Sequence, residues 1–93
     1  MIKSFADKRT AAIFAGYSLK RMQSDVVNRA HKKLLAIDAA TAPSELREPP
    51  GNWLEALSGN RGGYWSIRVN DQWRICFRFV QGNAFDVELV DYH

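Results

Sequence analysis

The residues whose types and order best suit acid–base and anion chemistry lie in the second half of this sequence. Arg74 and Arg78 sit four apart in Trp73-Arg74-Ile75-Cys76-Phe77-Arg78-Phe79-Val80. A guanidinium is a planar fork suited to bidentate contact with phosphate or carboxylate. Further on, Asp91-Tyr92-His93 sets a carboxylate, a phenol and an imidazole in succession. An imidazole that titrates near neutrality can transfer protons, and a guanidinium can stabilise developing negative charge. On one concave face the two would suit phosphoryl chemistry without a metal. Residues 91–93 also have a plainer reading as a frayed tail. Pairing into a sheet would instead hold them in place.

Other chemistries find little support. The sequence has no CxxC, HExxH, Walker loop or GxGxxG, the spacings that would mark zinc, redox or nucleotide sites. His31, His93 and the single Cys76 are a thin ligand set, so neither a metal nor a cofactor is expected. One cysteine cannot form an internal disulfide, and Cys76 reads as a packed strand residue. The loop Ser58-Gly59-Asn60-Arg61-Gly62-Gly63 is either a simple turn or a backbone cradle for phosphate.

The elements that must position these groups follow from periodicity. Met1–Phe5 alternates weakly, as a short first strand would. Asp7 can cap a helix to about Ala15, with Gly16 at its end. Ser24 or Asp25 can cap a second helix, on which Val27, Ala30, Leu34 and Ile37 form a stripe. Ala42-Pro43-Ser44 breaks that helix, residues 44–47 allow one more turn, and Pro49-Pro50-Gly51 stops it. The period then becomes two. Strands are predicted over 53–57, 64–69, 73–80 and 84–90, with turns at Asn70-Asp71 and Gly82-Asn83. Trp73, Ile75, Phe77 and Phe79 fall on one face of the third of these; Arg74, Cys76, Arg78 and Val80 fall on the other. Tyr64, Ser66 and Arg68 can join the arginine side. The expectation is an α+β fold, two N-terminal helices on one face of a mainly antiparallel sheet, as a single domain over 1–93.

Size and charge fit this picture. Ninety-three residues, 46% apolar and 25% charged, make one globular core rather than a disordered or low-complexity chain. No apolar run approaches the roughly 18 residues of a membrane span, and Met1–Phe5 lacks a signal core. No membrane association and a reducing, cytoplasmic setting are therefore expected. The formal charge of +3 is unevenly spread. Residues 1–51 hold nine Lys and Arg against five Asp and Glu, while residues 52–93 hold four arginines against five acids. The helical half thus has cations to meet nucleic acid or another anionic partner, among them Lys3, Lys8, Arg9, Lys20, Arg21, Arg29, Lys32 and Lys33. A solvated helix face explains the same residues.

Several stretches together resemble the HigB toxins, within the RelE-like superfamily of type II toxin–antitoxin systems. They are Leu54-Glu55-Ala56-Leu57-Ser58-Gly59-Asn60-Arg61, the run from Tyr64-Trp65-Ser66-Ile67-Arg68 through Trp73-Arg74-Ile75-Cys76-Phe77, and the ending Val90-Asp91-Tyr92-His93. The opening Met1–Phe5 and Leu35-Ala36-Ile37-Asp38-Ala39-Ala40-Thr41 extend the match over almost the whole chain.

The resemblance implies a RelE-like fold and a ribosome-dependent mRNA endonuclease that cuts the codon in the A site. It also implies cleavage without a metal, the RNA's own 2′-OH attacking the adjacent phosphate. The family's strand arginine falls on Arg74, and its terminal acid, tyrosine and histidine on Asp91, Tyr92 and His93. Some members carry a histidine in the strand before the Gly-Asn loop, followed later by a lysine; here Glu55 and Ser58 stand at those positions. Glu55 is then either a substitute proton acceptor or a surface carboxylate. Arg61, Arg68, Arg78, Lys32 and Lys33 are the candidate RNA-binding cations. The implied partners are a HigA-like helix-turn-helix antitoxin, the ribosome with its rRNA and mRNA, and operator DNA only through the antitoxin complex. The chain is expected to end on the histidine it uses, so activity should be sensitive to C-terminal extension. Two rivals remain: a ParE-like gyrase poison and a non-catalytic RNA- or protein-binding module, neither of which needs the acid–base set.

Overall fold

The structure is a computed structural model that describes residues 1–92, the side chain of Arg61 excepted. Helix α1 (Lys8–Phe14) starts where expected, with the Asp7 carboxylate accepting from the Thr10 N–H at 2.7 Å. This satisfies one of the free donors at a helix start. Gly16, at φ +94°, turns the chain away just past it. Helix α2 (Ser24–Ala39) buries Val26 together with the stripe Val27, Ala30, Leu34 and Ile37. Its cap position falls on Gln23, which makes no side-chain cap bond. Ser24 is already helical, and Asp25 sits in the first turn, where it complements the helix dipole and pairs with Arg29 at 3.4 Å.

The sheet is antiparallel in the order β1-β2-β3-β4: β1 (Glu55–Ala56), β2 (Tyr64–Arg68), β3 (Trp73–Val80) and β4 (Asn83–Asp91). One face carries Ile67, Ile75, Phe77, Val87 and Leu89, all buried, with Trp73 and Phe79 packed at the margin. Both helices cover this face. Thr10 Oγ1 accepts from the Leu89 N–H at 3.0 Å, and Arg9 donates to the Leu89 carbonyl at 3.0 Å, tying α1 to β4. On the opposite face the register aligns Arg68 with Arg74, Ser66 with Cys76 and Tyr64 with Arg78.

Two predicted strands are corrected. Met1–Phe5 is not a strand but makes two isolated parallel bridges to β4, Ile2 to Ala84 and Phe5 to Val87. A bulge explains the gap: Asp86 takes φ +54° and the β3–β4 register shifts between Cys76 and Arg78, which breaks an even ladder. The strand expected over 53–57 shrinks to Glu55–Ala56, because Trp53 closes a short 3-10 turn in the left-handed region at φ +43°. The turn residues 43–47 also form a 3-10 segment, with Leu46 buried.

Candidate active site

Arg74 is the centre of the open sheet face. Its β-strand position points it away from the helices, yet it is only 6% exposed. A buried guanidinium needs acceptors, and β2 and the turn at Trp53 supply three. Nε donates to Ser66 Oγ at 3.0 Å; Nη2 donates to the Trp53 carbonyl at 2.6 Å and the Ser66 carbonyl at 3.2 Å. Nη1 carries none of these bonds. The Glu55 carboxylate lies 3.1 Å from Nη2, and the Tyr92 ring sits 5.7 Å from the guanidinium carbon in a cation–π arrangement. Sheet neighbours thus fix the fork in one orientation, while an exposed acid and an exposed phenol border it.

The pairing that puts Arg68 opposite Arg74 would be repulsive by itself. Each arginine has its own carboxylate: Glu55 for Arg74 and Asp71 for Arg68. An open hollow of about 530 Å³ lies over this group, lined by Trp53, Glu55, Arg68, Asn70, Arg74 and Tyr92 among others. A second hollow, of about 510 Å³, shares Glu55 and Tyr92 and continues past Ser58, Cys76 and Asp91. Glu55 and Tyr92 therefore stand between two connected depressions on the same face.

The segment before His93 is held, not frayed. Asp91 registers with Trp73 in the sheet, the Tyr92 N–H donates to the Gln72 carbonyl at 2.6 Å, and the Gln72 amide donates to Asp91 Oδ2 at 3.0 Å. His93, the predicted acid or base, lies outside the described residues, as does the side chain of Arg61.

Of the remaining sequence candidates, Arg68 lines the first hollow. Lys33 reaches over from α2 to donate to Asn52 Oδ1. Burial and the nearby cations Arg29 and Arg68 hold its pKa below the usual lysine range. Lys32 is exposed on the same helix. Arg78 is spent elsewhere: it pairs with Asp86 at 3.4 Å and lies over the Phe85 ring at 5.1 Å. His31 is satisfied by the Ile13 carbonyl, 2.9 Å from Nδ1. Among the described residues, no group of three or more His, Cys, Asp or Glu side chains is placed to hold a metal ion. No described helix is long and apolar enough to cross a membrane.

Sequence reasoning missed two contributors, Trp53 and Asn52. Both were masked by the strand pattern that starts beside them; Pro49-Pro50-Gly51 directly before was the available signal for a turn. Asn52 is buried. Its amide donates to the Leu46 and Glu48 carbonyls at 3.2 and 3.1 Å, fixing the turn that delivers Trp53 and Glu55.

This geometry has relatives. A family model described as "RelE-like toxin of type II toxin-antitoxin system HigB" matches residues 3–93. The chain belongs to the HigB family. Within it, the chain is 40% identical to an endoribonuclease HigB from Proteus vulgaris over 93 residues, all of both proteins. It is 41% identical to toxin HigB-1 of Vibrio cholerae over 90 residues, 96% of this chain and 95% of the relative. Solved structures share the fold at lower identity. The YoeB–YefM toxin–antitoxin heterotetramer from Staphylococcus aureus matches with a TM-score of 0.63 and 17% identity, over 100% of this chain and 98% of the matched one. A YafQ variant from E. coli matches with a TM-score of 0.61 and 16% identity, over 94% and 89%. The RelE-like architecture expected of a HigB-family toxin, helices before an antiparallel sheet, is thus the one present.

Proposed function

We propose that this chain is the toxin of a type II toxin–antitoxin pair and a ribosome-dependent endoribonuclease that cuts mRNA in the A site. The observation that carries the reading is the anchored Arg74 fork, with Glu55 at 3.1 Å and the Tyr92 ring over it, opening onto the accessible face of the sheet. The Proteus vulgaris relative named an endoribonuclease supports it.

Cleavage proceeds by attack of the RNA 2′-OH on the adjacent phosphate. The 5′-oxygen leaves, giving a 2′,3′-cyclic phosphate and a 5′-OH. Arg74 stabilises the charge that builds on the phosphorane, a term worth roughly 2.7–4 kcal/mol for one well-placed donor. Because its orientation is set before substrate arrives, little reorganisation is needed at the reacting moment. Glu55, exposed and beside the guanidinium, takes the 2′-OH proton; Asp91, which lines the adjoining hollow, is the carboxylate that orients His93. His93 gives the proton to the departing 5′-oxygen. Tyr92 stacks on a base or hydrogen-bonds the phosphate. No step calls for a metal or cofactor.

Docking falls to the cations. Arg68 extends the positive charge of the site, Lys33 and Arg29 continue it onto α2, and Lys32 and Arg61 are the further candidate cations. These meet rRNA and mRNA phosphates, so binding weakens as salt rises. The antitoxin partner is a HigA-like helix-turn-helix protein, through which the pair reaches operator DNA. The site of action is the cytoplasm.

The test is translation in vitro with mapped RNA ends, using the parent, Glu55→Gln and His93→Ala. The expected result is cuts only in translated message, ending in cyclic phosphate and 5′-OH, slowed in both variants. Equal cleavage of naked RNA would remove the ribosome from the account. Translation arrest without cuts would remove the nuclease.

A further inference from the structure

We infer that Trp53 is a stacking platform for one nucleobase of the substrate RNA, a specificity-determining contact opposite the Arg74 fork. The inference rests on the ribonuclease reading above and adds a residue to it. Trp53 is 67% exposed, an uneconomical place for a large apolar ring. It is also held there at a cost. Its backbone is at φ +43°, ψ +61°, a region unfavourable for a bulky side chain, and such strain persists only where surroundings over-determine it.

Those surroundings are visible. The Trp53 N–H donates to the Pro50 carbonyl at 3.1 Å, and its carbonyl accepts from Arg74 Nη2 at 2.6 Å. The preceding residue is the buried Asn52, whose amide bonds the Leu46 and Glu48 carbonyls and whose oxygen accepts from Lys33. The turn is braced from α2 on one side and from the reaction centre on the other, and it holds the indole at the rim of the hollow. Across that hollow stands Tyr92, 47% exposed, with Arg68 and Arg74 between as phosphate contacts. Two exposed aromatic groups bordering a hollow that holds two guanidinium groups, Arg68 beside Asp71 and Arg74 beside Glu55, are what an unstacked single strand binds: bases on the rings, backbone on the guanidinium groups. The occupant is therefore a base of the RNA being cut. An apolar protein partner gains nothing from the two arginines between the rings.

Stacking on a ring tolerates any base but favours large flat ones, so Trp53 should bias which codons are cut fast without entering the chemistry. Truncating it should raise KM about 5- to 100-fold, the range for one lost base–aromatic stack, and leave kcat within a few-fold.

The test measures cleavage of mRNA-programmed ribosomes by the parent, Trp53→Ala and Trp53→Phe, with a thermal melt of each. It is repeated on messages carrying an abasic nucleotide at each position of the A-site codon in turn. The expected result is a raised KM for Trp53→Ala, substantial rescue by Trp53→Phe, and one position where the abasic penalty seen with the parent disappears in Trp53→Ala. That non-additivity identifies contact between ring and base, which a merely structural role would not produce. Additive penalties at every position would overturn the inference. So would parental KM with weakened binding of the antitoxin, which would make Trp53 a protein contact. If the parent cuts no message at all, it is the nuclease reading that fails.

Discussion

Arg74 and Arg78 are the same residue type on the same face of the same strand, four positions apart, and the fold uses them oppositely. Arg74 is buried and held mainly by neutral oxygens of Ser66 and Trp53, with an exposed Glu55 at its side. Arg78 is half-exposed and its Nε faces the Asp86 carboxylate. Asp86 sits at the β4 bulge, where it also accepts from the Tyr64 hydroxyl at 3.3 Å and the Ser4 hydroxyl at 3.4 Å. Its own N–H donates back to Ser4 at 2.8 Å. The Arg78 end therefore fastens the N-terminal segment to the sheet. The Arg74 end borders the open hollows. Both arginines have a carboxylate beside them, at 3.1 Å and 3.4 Å; the difference is that Arg74 is also anchored by neutral oxygens and lines a hollow, while Arg78 pairs at the bulge that fastens the N-terminal segment.

Substitutions can break this contrast. The largest effect is expected at Arg74: Arg74→Ala should lose about 100- to 1,000-fold in cleavage rate, relieve growth arrest, and cost about 1–3 kcal/mol of stability by orphaning the Trp53 and Ser66 acceptors. Next, Glu55→Gln should slow cleavage about tenfold or more if the carboxylate accepts the 2′-OH proton. Its melting temperature should stay near the parent's, since the pair is exposed on the Glu55 side. A parental rate would make Glu55 a surface acid. Smaller still, Arg78→Ala should keep cleavage within about twofold and lose at most about 1 kcal/mol of stability, as partly exposed pairs do.

The smallest effect concerns Lys33. Its pKa is lowered from 10.5 by burial and by Arg29 and Arg68. Below the lowered value the folded and unfolded states are both protonated, and the fold bears the cost of the crowded charge. As pH rises from that value toward 10.5 the folded state sheds its proton first, so stability increases across that window. Denaturant unfolding at neutral and alkaline pH should show this gain in the parent and a flatter response in Lys33→Met.

Most of the fold was legible in the sequence because local signals agreed with it. The helical stripe of α2, the Asp7 cap and the alternation of Trp73–Val80 each point to the element they form. That Ser66 and Arg68 share the face of Arg74 followed from the two-residue period of the strands. What stayed hidden was conformation that alternation cannot encode. Trp53 fits a strand by residue type but is left-handed, its N–H bound to the Pro50 carbonyl and its carbonyl held by Arg74. Met1–Phe5 also fits a strand but pairs only at two points, because Asp86 bulges beside it. For the site, Arg74, Glu55, Arg68 and Tyr92 line one hollow, with Asp91 on the adjoining one. Arg78 does not join them, since its partner Asp86 is close only after folding.

The contrast between the two arginines is tested most directly by one rate ratio, from single-turnover cleavage of programmed ribosomes by Arg74→Lys and Arg78→Lys. Lysine keeps the charge and loses the fork. The account predicts about a 100-fold or greater loss at Arg74 and no more than about twofold at Arg78. Equal losses, or a parental rate for Arg74→Lys, would contradict it.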